Sequence, residues 1–580
     1  MKLEIQKGSR SKILAIIVVG LMAVFVVRLF YLQIIKHDEY VALANSEQVK
    51  RLTIPAKRGL IYAMDGTRPV ELVLNETVYT LFADPKIIKD KSKITDTIHR
   101  IAGGNVRPNI DVLLDKKETR YQILATKLSR AQAELIKKEK LAGIGFQEVS
   151  QRVYPEGGLA AQTLGFVNAE GNGQYGVESK LDARLKGEDG MLQSVTDVSN
   201  VPLTIGDRNV HDPAKNGDNV VLTIDRNIQA YTEKALATGL QQTGAQKGSV
   251  IVMNPENGRV MAMANLPTYK PAEFNKVQDA DAFNNAVITS PYEPGSDIKT
   301  LTVAMGLDKG VIEPNSTFVN TDSIKVEDRT IGNATKGQTG TITMQTALNY
   351  SLNTGMVTIA QRLGDGKSIN ANARNTMYEY FHDRFGFGMK TGIELAGEQP
   401  GTIIAPTQQE GNAVRYSNMA FGQGMDLTMA QVSAAFCSII NGGTYFKPTV
   451  LAGTMSVDRK TFKEDTVQPV RSAVISPSSS AKARAMVYEA RTKFYAGKDK
   501  PGYEIGGKTG TSQTIVNGKY VDNQTDGTYL GYGGDDRPRY VIMVQVSGKN
   551  MNLEGGKHAL PIFTDISNWM IDYLKLQPKG

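Results

Sequence analysis

From Ile13 to Val27 every position is apolar or glycine; Arg28 interrupts, and apolar character resumes from Leu29 to Ile35 except at Gln33. About 20 helical residues cross a bilayer core, so Ile13 to Leu32 suffices when the Arg28 side chain snorkels to the interface. Lys2, Lys7, Arg10 and Lys12 precede the run against one acid, Glu4. Positive charge stays inside, which predicts a cytoplasmic N-terminus and an exterior position for everything after Ile35. Ala42-Leu43-Ala44 offers a cleavage-like tripeptide, but too far beyond the apolar run for a signal peptide. The pattern predicts a cytoplasmic tail (1–12) and an uncleaved single-pass anchor in the cell membrane (13–35).

Beyond the anchor the pattern changes near residue 215. Residues 36–215 are polar, glycine-punctuated and variable in period, with a hairpin expected at Asp65-Gly66. Charged helix is expected over Lys116 to Leu141, and loop over the glycine-rich Gly171 to Gly190. His211, Asp212, Pro213, Lys215, Asn216 and Gly217 form a breaker cluster that reads as a linker. After it, Val220 to Ile224 reads as a strand and Asn227 to Leu240 as a helix. Gly248 to Val252 and Arg259 to Ala264 flank an Asn257-Gly258 turn, Tyr540 to Val546 is a further strand, and Ile562 to Leu574 a closing amphipathic helix. Strands at both ends of 216–580 around a helix-rich middle imply one α/β domain whose sheet joins distant segments.

Composition narrows the class. The 580 residues are 41% hydrophobic and 22% charged, which supports large cores and excludes disorder as the main theme. A single cysteine, Cys437, excludes disulfides and a cysteine-based zinc site, and its apolar neighbours Ala434, Ala435, Phe436, Ile439 and Ile440 mark it as a packing residue. A net charge of +8 is a mild bias towards anionic surfaces and not a nucleic-acid signature.

Chemistry concentrates in Tyr292-Glu293-Pro294-Gly295-Ser296-Asp297-Ile298-Lys299. Pro294-Gly295 ends what precedes, and apolar Ile298, Leu301 and Met305 predict a buried helix from Ser296 to Lys309 with Ser296 in its first turn. Ser at i and Lys at i+3 share one helix face. A buried lysine loses proton affinity and can take the hydroxyl proton, while the helix N-terminus offers N–H groups to an oxyanion. Ser-x-x-Lys also occurs at Ser9/Lys12 and Ser479/Lys482, the first in the tail and the second in a polar stretch read as a solvated helix start. Taken alone, Ser296 is an N-cap serine followed by a surface lysine.

Further motifs change that balance. Ser-x-Asn occurs at Ser351-Leu352-Asn353, against an apolar segment, and at Ser368-Ile369-Asn370, in a loop; Lys-Thr-Gly occurs at Lys508-Thr509-Gly510, opening a strand, and at Lys390-Thr391-Gly392, in a tight turn. The first of each pair is the candidate. Gly502 to Thr509 formally matches a P-loop, but strand-like Thr511 to Val516 follows where a helix is required.

Tyr-Glu-Pro-Gly-Ser-x-x-Lys, Ser-x-Asn and Lys-Thr-Gly-Thr, in that order behind one anchor, resemble the class B penicillin-binding transpeptidases. The resemblance extends to Leu222-Thr223-Ile224-Asp225, to Gly422-Gln423-Gly424 with Thr428, and upstream to Arg58-Gly59-Leu60-Ile61-Tyr62 and Gly173-x-x-Gly176-Val177-Glu178. It implies an α/β transpeptidase domain of the penicillin-binding/serine β-lactamase-like type over 216–580: an antiparallel sheet flanked by helices, plus a helical subdomain. It also implies an elongated α+β pedestal or dimerisation-like module over 36–215. The roles it implies are Ser296 as nucleophile on a D-Ala-D-Ala stem peptide, Lys299 as base, Ser351 as proton relay and Asn353 as orienting group. Lys508, Thr509, Gly510 and Thr511 would bind the donor's carboxylate end, with an oxyanion hole from the Ser296 and Thr511 N–H groups. No metal or organic cofactor is implied. The implied partners are peptidoglycan stem peptides, β-lactams as inhibitors, and a membrane-embedded glycosyltransferase with other division proteins.

Two positions depart from the family pattern: Ala63 replaces an acidic residue, and Asp297 replaces a small or hydroxyl residue after the nucleophile. Ala83-Asp84-Pro85-Lys86 resembles division enzymes more than elongation enzymes. A class A β-lactamase would place Glu-x-x-Leu-Asn after Ser-x-Asn, whereas that string is found upstream at Glu71 to Asn75. A β-lactam sensor would carry further spans or a signalling domain, and a silent scaffold would show a damaged motif.

Overall fold

The computed structural model describes residues 7–41, 49–195, 210–516 and 519–579; the tripeptide at 42–44 and the start of the tail lie outside them. The chain forms two compact units, Met1–Lys57 with Lys186–Gly217, and Arg58–Leu185 with Asp218–Gly580. In the first unit an α-helix spans Lys7–Phe30 and continues as a π-helical turn over Tyr31–Ile35. Its exposed stretch Arg10–Ile35, of mean hydropathy 2.9, is long and apolar enough to cross a membrane and fits a single anchor. The same unit holds an antiparallel sheet of Val49–Ile54, Gly190–Val195 and Val210–Asp212. His211 and Asp212, expected in a linker, therefore lie in a strand, paired with Leu192 and Met191.

The second unit contains a seven-stranded sheet. The Asp65-Gly66 hairpin forms as expected: Ile61–Asp65 pairs with Arg68–Ala83, and Gly66 takes φ 61. Asn219–Asp225 joins in parallel beside Ile61–Asp65. The helix expected over Lys116 to Leu141 is only partly there. Gln122–Leu128 is instead a strand against Arg68–Ala83, with Leu124, Ala125 and Leu128 buried; tertiary pairing overrides local propensity. Helix resumes at Arg130–Lys138, where the Ser129 side chain accepts from Gln132 N and Gln132 reciprocates. Gly171 to Gly190, expected as loop, carries short helices at Gly176–Lys180 and Asp182–Lys186.

The two upstream motifs meet. Arg58 Nε donates to Glu178 Oε2 at 2.8 Å, and Arg152 Nε donates to Glu178 Oε1 at 2.7 Å. Glu178 is wholly buried between the two guanidiniums, and Asp182 adds a second carboxylate to Arg58 at 2.7 Å. Ala63, also wholly buried, pairs across the hairpin with Val70.

The other large sheet is antiparallel throughout. Its strands are β1 (Lys247–Met253), β2 (Val260–Leu266), β3 (Glu504–Val516), β4 (Lys519–Gly534) and β5 (Pro538–Ser547), in spatial order β2-β1-β5-β4-β3. It joins segments more than two hundred residues apart, as the pattern of the sequence implied. Both faces are covered, which accounts for the continuous apolar runs of β1 and β5. Val250, Val252, Ile542 and Val544 pack with Leu236 and Phe563 of the helices Arg226–Thr243 and Leu560–Tyr573. Ile251, Met253, Val541 and Met543 share the opposite core with Leu301, Met356 and Phe436. Cys437 is buried there in the helix Met429–Ile440, and burial pushes its thiol pKa up.

Candidate active site

Ser296 stands in a 3-10 turn, Gly295–Ile298, that runs into the α-helix Lys299–Asp308. The sequence therefore places Ser296 and Lys299 on successive turns, with nearly the whole helix behind them buried. The entry to the turn is clamped. Gly295 takes φ 60 and donates its N–H to Gly422 O at 2.9 Å, and a Cβ on Gly422 would lie 1.9 Å from Gly295 O. Glu293, just upstream, accepts from Gly424 N at 2.6 Å and from the Tyr520 hydroxyl at 3.1 Å. Burial raises its carboxyl pKa.

Lys299 is 1% exposed, and its Nζ is fully engaged. It donates to Ser351 O at 2.7 Å, to Ser351 Oγ at 3.1 Å and to Asn353 Oδ1 at 2.7 Å. Ser351 takes φ 57, a left-handed conformation uncommon for a side chain with Cβ, in the turn between the helices Met344–Asn349 and Asn353–Arg362. That turn points both its carbonyl and its hydroxyl at the lysine. Asn353 opens the second helix and donates its amide to Gly332 O at 2.9 Å, which leaves its carbonyl for Lys299. Burial, and then the neighbouring Lys508, hold the Lys299 pKa well below the ordinary lysine range. Lys299, Ser351 and Asn353 therefore come together from two stretches more than fifty residues apart.

The Lys-Thr-Gly-Thr segment lies on edge strand β3, so it is no phosphate loop. The strand passes close to the serine turn: a Cβ on Gly295 would come 3.1 Å from Thr511 O. Lys508 is 5% exposed and donates to Thr509 O at 3.0 Å. Burial lowers its pKa to about 8, and Asp297 opposes the fall. Thr511 is exposed, and its hydroxyl accepts from Gly555 N at 3.2 Å. Gly510 faces Thr528 across β4, and there an added Cβ would lie 2.2 Å from Thr528 Oγ1.

The alternative motif copies lie elsewhere. Ser368 Oγ donates to Asp365 at 2.8 Å and Asn370 caps the helix Ala371–Tyr378. Thr391 is tied to Glu398 next to Gly392 at φ 82, and Lys482 pairs with Glu313 at 2.7 Å on the surface.

What the motifs alone did not reveal is the surroundings of Asp297. It is wholly buried; its Oδ2 accepts from Thr528 Oγ1 at 2.7 Å, and its Oδ1 has no hydrogen-bond partner among the described residues. Thr528 belongs to β4, and only strand register brings it there. A cavity of about 610 Å³ lies beside this region, lined by Tyr292, Glu293, Ser512, Thr514 and Asp526.

An antiparallel five-stranded sheet carrying Lys-Thr-Gly-Thr on its edge, beside a buried helix headed by Ser-x-x-Lys, defines a penicillin-binding transpeptidase domain. Family comparison agrees: residues 248–568 match the penicillin-binding protein transpeptidase domain, and residues 53–222 match the penicillin-binding protein dimerisation domain. The chain belongs to the class B penicillin-binding proteins. It is 28% identical to stage V sporulation protein D of Bacillus subtilis, over 98% of this chain and 87% of that one. It is 30% identical to penicillin-binding protein PbpB of Mycolicibacterium smegmatis (80% and 72%), and 26% identical to peptidoglycan D,D-transpeptidase FtsI of Escherichia coli (95% and 89%). Among solved structures, penicillin-binding protein 2X of Streptococcus thermophilus shares the fold with a TM-score of 0.73 at 22% identity, covering 91% of this chain and 80% of that one.

Proposed function

We propose that the chain is a serine-type peptidoglycan D,D-transpeptidase, in which Ser296 forms an acyl-enzyme with the donor stem peptide. The observation that carries this is the convergence of Ser351 and Asn353 on the buried Nζ of Lys299, one helical turn from Ser296. Burial and the neighbouring Lys508 depress the Lys299 pKa, which eases loss of its proton and suits it to take the Ser296 proton as Oγ attacks the carbonyl between two terminal D-alanines. The N–H groups of Ser296 and Thr511 receive the oxyanion, a contribution of about 3 kcal/mol per donor. On collapse the carbon–nitrogen bond breaks, and the proton passes from Lys299 through Ser351 to the departing D-alanine amine. An acceptor amine then attacks the ester, giving its proton back along the same path and restoring the Ser296 hydroxyl. Lys508, with Thr509, Gly510 and Thr511, binds the donor's terminal carboxylate. β-Lactams inhibit by occupying the same serine.

In this proposal 1–12 is cytoplasmic, in keeping with the basic flank of the anchor, and 216–580 works outside the membrane on 36–215 as a pedestal. The expected partners are a membrane-embedded glycosyltransferase and other division proteins. FtsI-like relatives and Ala83-Asp84-Pro85-Lys86 favour the septum over elongation. Depletion that gives filaments supports the septal role, and depletion that gives round cells overturns it.

The test is labelling of the full chain in detergent with a fluorescent penicillin, alongside Ser296→Ala. Labelling of the wild type alone, with release of D-alanine from a D-Ala-D-Ala donor, is the expected result. Equal labelling of both proteins overturns the nucleophile assignment.

A further inference from the structure

Asp297 is a buried carboxylate that the transfer chemistry above does not use. Its position is nonetheless built. Lys508 and Gly510 are two apart on β3, so their side-chain directions share one face of the strand. The Asp297 carboxylate lies on that face, in room that only a glycine at 510 leaves. A Cβ there would sit 2.9 Å from Asp297 Oδ2 and 2.2 Å from the hydroxyl of Thr528. Thr528, opposite Gly510 on β4, donates to Oδ2 at 2.7 Å, while Oδ1 is buried without a hydrogen-bond partner among the described residues. A carboxylate 0% exposed with one hydrogen bond is stable as an anion only beside a cation.

The charged and titratable neighbours decide which cation. Lys508 on β3 is the positive group that acts on Asp297, and Lys508 in turn acts as a like charge on Lys299, on the following helix. Tyr292, whose buried hydroxyl has no hydrogen-bond partner among the described residues, and Asp526, two residues before Thr528 on β4, also lie nearby, and burial raises the pKa of both. The carboxylate favours the protonated form of Lys508, whereas burial and Lys508 together lower the pKa of Lys299.

We propose that Asp297 is a positioning residue, the counter-charge that keeps Lys508 protonated and the Lys508–Gly510 edge of β3 in place for an anionic donor terminus. The inference deepens the transpeptidase proposal and rests on it. Asp297 thereby divides the labour of two buried lysines, Lys508 as a cation for the substrate carboxylate and Lys299 as a free base. Without Asp297, burial acts on Lys508 unopposed, and its ammonium is lost at a lower pH.

The experiment is the pH profile of the second-order rate constant for acylation of the full chain in detergent by a fluorescent penicillin, whose carboxylate stands in for the donor terminus. The alkaline limb of the wild type reports loss of the Lys508 charge. In Asp297→Asn, which keeps an acceptor for Thr528, that limb is expected to move down by about one pH unit. Thr528→Val, which removes the hydroxyl that steadies the carboxylate, is expected to move it the same way by less, and decides the matter if Asp297→Asn does not fold. On a Lys508→Arg background, where the cation never titrates, the limb due to residue 508 is expected to be absent and Asp297→Asn to shift the remaining profile no further. Superimposable limbs for wild type, Asp297→Asn and Thr528→Val overturn the inference while leaving the nucleophile intact. Absence of Ser296-dependent labelling in the wild type overturns the transpeptidase proposal itself.

Discussion

At the scale of single residues, the site runs on desolvation. Lys299 and Lys508 are both buried, and what separates their roles is company: hydrogen-bond acceptors around the first, a carboxylate near the second. Asp297 bears the cost. Burial raises its pKa from the ordinary carboxylate value to about 7, against the opposing pull of Thr528 and Lys508. Between about pH 4 and pH 7 the folded protein therefore holds a proton that the unfolded chain has released. The stability from this group is fully present below that window and is lost as pH rises through about 7. The depressed lysines act in the opposite sense, but for Lys508 only above about pH 8. Thermal unfolding of Asp297→Asn at pH 5 and pH 7.5 is thus expected to show a smaller loss of stability with pH than the wild type, by on the order of 2 kcal/mol. An identical loss in both proteins contradicts a buried, strained carboxylate.

At the scale of elements, the site depends on backbones that approach more closely than side chains permit. The loop Gly422-Gln423-Gly424 presses on the serine turn from one side, while β3 borders it on the other. A Gly422→Ala change sets a Cβ 1.9 Å from Gly295 O at φ 91, so backbone has to move. Expected are a stability loss of about 2–4 kcal/mol and a fall in penicillin acylation of at least tenfold in the fraction that remains folded, because the displaced group is the turn carrying Ser296. Unchanged acylation kinetics in a destabilised variant would separate the loop from the site. These elements also mark what could be read from the chain. Ser296 and Lys299 were legible because helix spacing is local, and β1 and β5 because apolar runs of strand length are. Gln122–Leu128 was not, since its lysine and glutamine suit a charged helix and only the neighbouring strand decides otherwise. Nor was the Asp297–Thr528 bond, which exists through the register of β3 on β4 across 231 residues of sequence.

At the scale of the molecule, stability and chemistry are lodged in different places. Arg58, Glu178 and Arg152 form a buried cluster drawn from both upstream motifs, and its ties run to the Gly59 carbonyl at 2.7 Å and to Asn75 at 2.8 Å. None of these groups bonds to Ser296, Lys299 or Lys508. Gly173 is part of the same device, for a Cβ there would come 1.9 Å from Glu178 O and 2.8 Å from the Arg58 guanidinium. One carboxylate thus bridges two buried guanidiniums, with Asp182 as a second counter-charge for Arg58, and pins three separate segments. Removing only that carboxylate leaves the buried Arg152 without a counter-charge and Arg58 with Asp182 alone, a loss of about 3–5 kcal/mol. Glu178→Ala is therefore expected to lower the midpoint of thermal unfolding by several degrees, while its folded fraction keeps an acylation rate constant within about twofold of the wild type. Glu178→Gln, which retains the hydrogen-bonding shape without the charge, should fall between the two, since Arg58 still has Asp182. A Glu178→Ala protein as stable as the wild type would mean that the paired motifs of the N-terminal module serve something other than the fold. A large fall in acylation at full stability would show that this module reaches the serine through the chain that joins them.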